Sequence, residues 1–207
     1  MAATKLQAYN LALAHMGVNK RVSSLTENSV ERTTLDLFWD DVVDELLRDF
    51  DFPFSRKKRA LGLVTSNGDD GHADINYGYA YRYPSDCLNA RRIDSGIRTD
   101  YRLARVSYDI CADDQGQLIL TDKQDAVLEF TTTDARNPAR WTSDFLFSVS
   151  YRLAVYAAPG LTKGDPTQLG ERCTFFFNMS NRKAQANAAG EVQPDLEPDS
   201  DLINART

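Results

Sequence analysis

The sequence predicts a mainly α, α+β fold: a helical bundle built from both ends of the chain, a small inserted antiparallel β-sheet, and an extended C-terminal tail. Three observations predict it. Apolar residues recur at helical spacing over residues 6–16, 30–50 and 145–156. The middle third instead alternates apolar and polar residues between Asn-Gly, Asp-Gly and proline breaks. No interval repeats, and no Gly/Ser-rich linker divides the 207 residues. The expected division is 1–64 for the N-terminal half of the bundle, 65–137 for the β-rich insertion, 138–190 for the C-terminal half and 191–207 for the tail.

Leu6, Tyr9, Leu13 and Met16 form the first apolar stripe, with Thr4 placed to cap the helix and Gly17 placed to end it. In the loop that follows, Ser24 with Glu27 and Asn28 with Glu31 both have capping-box spacing. The second pair is expected to start the next helix, because the apolar period begins there. Val30, Leu35, Phe38, Trp39, Val42, Val43, Leu46 and Phe50 make its stripe, and the helix is expected over 29–49. Pro53 ends it by forcing extended geometry on the residue before, and Phe50, Phe52 and Phe54 are expected over its end.

Residues 57–64 then read as one strand, with Ala60, Leu61, Leu63 and Val64 apolar. The basic run Arg56, Lys57, Lys58, Arg59 is read as its solvated start. A face towards DNA or another negatively charged partner is the alternative, and a nuclear-localisation match carries little weight. Residues 65–78 have turn chemistry, and residues 79–93 alternate aromatic and polar residues and then break at Pro84. Val106, Tyr108 and Ile110 enter a hairpin that turns at 113–116 and returns through Leu118 and Leu120; a last strand covers 126–133. A helix carrying Phe145, Leu146, Val149, Leu153 and Tyr156 should stop at Pro159-Gly160. Asp165, Pro166 and Gln168 then combine a cap, a first-turn proline and a third-position glutamine. The tail has two prolines and too little apolar matter to fold alone.

Composition bounds the function. At 42% hydrophobic and 26% charged the chain reads as an ordinary soluble globular protein, and its size allows a core without staples. A net charge of −6 argues against a dedicated nucleic-acid binder, which needs a basic face to displace counterions. Cys87, Cys111 and Cys173 are odd in number and far apart, so buried, reduced thiols are expected. The first segment has no small-residue cleavage pattern, which reads as no signal peptide. No apolar run approaches the roughly 18 residues of a membrane helix.

Reactive constellations are scarce. His15 and His72 are the two histidines, and neither sits in a metal-ligand spacing. Asn67, Asp69, Asp70 and His72 lie in a loop with a faint calcium-site look but without the closing glutamate. No phosphate-cradling glycine motif occurs. Asp40 and Asp44 share a helix face, but carboxylates in a solvated face are not in the apolar setting that makes a catalytic acid. No catalytic residue, metal or cofactor is expected.

The ordered set of segments carries more. A short helix ending "LAHMG", a loop "SSLTENS", a long acidic helix ending "LLRDFDFPFSRKKRAL", then "YAYRYPSDCLNARRI", a hairpin, and "FLFSVSYRLAVYAAPGLTKGD" before a last helix and acidic tail resemble the tail tubular protein A family of bacteriophage head-to-tail adaptors over nearly the whole chain. The resemblance implies a virion structural protein of the neck and tail, assembled in the host cytoplasm. It implies a homo-oligomeric ring, of twelve copies in that family, below the portal protein. Such a ring lengthens the channel for double-stranded DNA without reading its sequence, helps retain packaged DNA and docks a tail tube or nozzle. No membrane is implied. In this reading Leu196, Leu202 and Ile203 of the tail contact the portal, as the family's C-terminal segment does. Arg56, Lys57, Lys58 and Arg59 offer a charged contact patch, and Asn67, Asp69, Asp70 and His72 a tail-contact loop. A tail-associated peptidoglycan hydrolase and a head-completion protein of a long-tailed phage are the alternatives.

Overall fold

The computed structural model describes residues 3–67, 76–96, 105–162 and 166–191. It has an α+β fold, with four α-helices and two small antiparallel sheets among those residues. The chain divides into two compact units. A helical unit contains the described residues up to Ser55 and from Thr133 onward, and Arg56–Thr132 make the β unit. The β unit therefore begins nine residues before the expected 65, because Arg56–Ala60 is already a strand paired into a sheet.

In the helical unit, α1 (Lys5–His15) is capped by Thr4, whose hydroxyl accepts from the Gln7 amide. It ends at Gly17, which takes φ +74° while the Gly17 and Val18 amides close back on the Ala14 and Leu13 carbonyls. The second helix, α2 (Val30–Asp49), is capped by Ser29, not by Asn28: Ser29 Oγ accepts from the Arg32 amide. The Ser24 and Glu27 pair forms no helix start, since Glu27 turns back to accept from Ser23. Leu35, Trp39, Val42, Val43 and Leu46 are buried as expected, and Leu47 joins them. Val30 is exposed and Phe38 half-buried, so the stripe is narrower than its apolar residues suggest.

Phe52 is buried at the end of α2 and meets Phe50, Phe54 and Phe145 ring to ring. The third helix, α3 (Ser143–Leu161), is the centre of the unit, packing against α1, α2 and α4 (Pro166–Gly190). Pro159 does not stop α3, which runs to Leu161. A proline ring fits helical φ, and so near the end of the helix its missing amide removes only a single bond. The end is closed by Thr162, whose amide and hydroxyl both donate to the Ala158 carbonyl. Tyr156, expected on the buried face, is exposed and stacks on Phe38. α4 starts with Pro166 in its first turn as its sequence predicts; Asp165 lies outside the described residues.

The β unit holds two sheets instead of the single one expected. The strands β1 (Arg56–Ala60), β4 (Cys87–Ile93) and β7 (Val127–Thr132) form one, in the order β1-β7-β4. β2 (Leu63–Ser66), β3 (Tyr79–Arg82), β5 (Tyr108–Asp113) and β6 (Gly116–Thr121) form the other, in the order β2-β3-β6-β5. The expected strand over 57–64 is thus two strands in different sheets, separated at Leu61 and Gly62. Leu61 donates to the Ala126 carbonyl, and Gly62 accepts from the Arg82 amide. Between the sheets lies one core of Tyr81, Ile93, Ile119, Ala126, Leu128 and Phe130. The hairpin turn at 113–116 is exposed as expected, and Arg82 grips its Asp113 with two hydrogen bonds.

Candidate functional site

Strand alternation decides what the basic run can do. Successive side chains of β1 point to opposite faces, so Arg56 and Lys58 share one face, and Lys57 and Arg59 the other. On the second face Lys57 and Arg59 both bind Asp86, at 2.6 and 2.9 Å. The Lys57 hydrogen bond first, and then the charges of Arg59 and Lys57, hold the Asp86 carboxyl below its usual range. On the first face Lys58, Glu129 and Arg92 stand side by side across the three strands, because Lys58 and Arg92 are both in register with Glu129. Glu129 is 3% exposed, and its Oε2 lies 3.3 Å from Lys58 Nζ and 3.2 Å from Arg92 Nη2. Lys58 also reaches Asp94 at 3.0 Å, and that bond comes first among the contacts that hold its ammonium above the ordinary range.

Arg56, Lys57, Lys58, Arg92 and Glu129 line a shallow depression of about 270 Å³. Lys57, Lys58, Arg59 and Arg92 thus bind Asp86, Asp94 and Glu129 in and around β1. The run is not a free row of positive charge waiting for phosphates. It is a strand whose Lys57, Lys58 and Arg59 form ion pairs within its own sheet and the turns beside it. The solvated strand start expected from sequence is corrected to that extent: Arg56 and Lys57 are half-buried, Lys58 and Arg59 exposed. Of the expected tail-contact loop, Asn67 is exposed and its amide donates to the Gly78 carbonyl; Asp69, Asp70 and His72 lie outside the described residues. Leu196, Leu202 and Ile203 also lie outside them.

The helical unit carries the larger apolar surface. Leu37 (71% exposed), Val30 (68%), Phe175 (61%) and Met179 (57%) are the most exposed large apolar side chains among the described residues. Two are on α2 and two on α4. On α2, Val30 and Leu37 sit on the side of the helix opposite the buried Leu35, Val42 and Leu46. On α4, Phe175 and Met179 sit opposite the buried Cys173, Phe177 and Ala184. Phe176 extends the α4 surface by stacking on Tyr151, which in turn stacks on His15.

No family model matches the chain, and no curated protein matches it. Its function must be argued from these surfaces. Among the described residues, no group of three His, Cys, Asp or Glu side chains could hold a metal ion. No helix there is long and apolar enough to cross a membrane. Asp44, one of the paired carboxylates, is held bidentately by Arg136 at 2.7 and 2.6 Å, a structural tie between α2 and the turn at 133–136. Cys87, Cys111 and Cys173 are in no disulfide; Cys173 is buried and the other two half-buried.

The outward apolar residues were legible in part. Leu37 falls two positions from Leu35, off the helical stripe, and three consecutive phenylalanines at 175–177 cannot all face one way at 100° per residue. Glu129, Asp86 and Asp94 left no local signal, because their partners are 27–71 residues away in the chain.

Proposed function

We propose that this chain is a ring-forming head-to-tail adaptor of a bacteriophage virion. The ring would lie below the portal, extend the DNA channel and dock the tail tube or nozzle. The observation that carries this reading is the pair of outward apolar stripes on α2 and α4. A ring needs two different surfaces on each subunit, one to give and one to receive. Exposed apolar side chains that lie together mark interaction sites, and Phe175, Phe176 and Met179 lie together on α4. The order of sequence segments shared with the tail tubular protein A family points the same way. So does the net charge of −6, since a negative conduit lets DNA slide without holding it.

In this reading the tail containing Leu196, Leu202 and Ile203 reaches the portal, with the loop of Asn67, Asp69, Asp70 and His72 on the tail side. The charged strand β1, with Lys58 and Arg59 exposed, provides a further contact surface for a partner. The test is electron microscopy of the purified full chain, alone and mixed with the portal protein of the same phage genome. Rings of about twelve copies are expected. Particles that stay monomeric in both preparations overturn the proposal. Removing residues after Gly190 should leave the fold intact and weaken portal binding, more at low salt than at high.

A further inference from the structure

We propose that the α4 stripe of one subunit packs on the α2 stripe of a second copy of this chain, forming the repeating contact of the ring. This inference rests on the ring reading above and assigns its seam.

Three features fit the two stripes to each other. Both have an apolar centre: Val30 and Leu37 on one, Phe175 and Met179 on the other. Both are outward faces of helices that pack their inner faces on α3, so neither is needed for the fold. Their charges are opposite. Asp40 and Asp41 flank Leu37, whereas Arg172 and Arg182 flank Phe175 and Met179. All four charged residues are exposed and make no ion pair among the described residues.

Their neighbours are already occupied. Asp36 binds Lys5, Asp44 binds Arg136, Glu45 binds Arg152, and Lys183 binds Asp144. Among the described residues, Asp40 and Asp41 are thus left unpaired on the α2 stripe, and Arg172 and Arg182 on the α4 stripe. Arg48 and Glu171, towards the ends of the two stripes, carry the reverse signs and are themselves opposite. Two copies joined through α4 alone would set Arg172 and Arg182 against their own kind. Joining α4 to α2 removes that repulsion and leaves the pair one free stripe of each kind, one on each subunit. Such a contact is heterologous and propagates until it closes.

The experiment is sedimentation of full-length chains carrying charge swaps. One variant has Asp40→Lys with Asp41→Lys, a second has Arg172→Glu with Arg182→Glu, and a third has all four. Each two-site swap should weaken self-association about tenfold or more, because like charges then meet at the seam. The four-site chain should recover it, and so should a mixture of the two two-site variants, whose stripes are again complementary. At pH 8, where His15 beside Arg172 is neutral, thermal melts of the dissociated chains should match, since all four residues are exposed. If the wild type assembles and the two-site swaps assemble equally well, the seam is elsewhere and the ring reading survives. If the swaps dissociate and neither the four-site chain nor the mixture recovers, the α4-to-α2 pairing is overturned. A wild type that never associates, with or without portal, overturns the ring and this seam together.

Discussion

The imidazole of His15 lies flat on the phenol of Tyr151, with ring centroids 3.7 Å apart and planes 13° from parallel. Its Nε2 is 3.1 Å from Ser150 Oγ. Burial, and then the nearby Arg172 guanidinium, pull its pKa from the ordinary 6.5 down to about 4. The folded state thus binds this proton less readily than the unfolded chain does. The stability it contributes is complete above pH 6.5 and is lost as pH falls through that value towards 4. Between pH 7 and pH 5 this costs about 1 kcal/mol, because solvent still screens the half-buried ring. Most carboxylates titrate below that window. Urea unfolding at the two pH values should show the loss in the wild type, and His15→Gln should flatten it. An unchanged slope in the variant would assign the pH dependence to other groups.

Leu46 is 2% exposed on the α2 face that packs against α3. Leu46→Ala should destabilise the helical unit by about 2–5 kcal/mol, from lost burial and the cavity left behind. Leu37→Ala, on the outward face of the same helix, should leave monomer stability nearly unchanged. Equal effects in chemical denaturation would show that the two faces of α2 have been assigned wrongly.

The start of α2 separates two adjacent candidates. Ser29 Oγ accepts from the Arg32 amide, whereas Asn28 caps nothing among the described hydrogen bonds. Ser29→Ala should therefore cost about 1 kcal/mol, and Asn28→Ala only a few tenths. Thermal unfolding of the two variants side by side decides the cap; the reverse order would move it back to Asn28.

Glu129 is a buried carboxylate held by two half-exposed cations, Lys58 and Arg92. Glu129→Ala removes the acceptor from the middle strand of its sheet and should cost about 1–3 kcal/mol. Glu129→Gln keeps the shape and one acceptor oxygen and should cost less. Hydrogen exchange at β1 and β7 amides provides the local readout. Protection unchanged in the alanine variant would mean that the charged ladder does not hold these strands together.

Local chemistry determined most of the elements by itself. Helical period, the hydroxyl of Thr4, Gly17 beyond the first helix, Pro53 after the second and Pro166 at the start of the last each act within a turn of their own position, so they can be read from sequence. The 113–116 hairpin belongs to the same class. Tertiary structure alone decided how the strands are distributed. Residues 57–64 look like one strand, yet β1 pairs with β7 and β2 with β3, because pairing partners are chosen by contacts far along the chain. The fate of the basic run was decided in the same way: Asp86, Asp94 and Glu129 reach it only once the sheet has formed. Which apolar residues stay bare is equally a tertiary matter. Val30, grouped with the stripe in sequence, falls five residues before Leu35 and so on the other side of the helix, while Phe177 is buried and Phe175 is not, since a helix presents only one side to its partner.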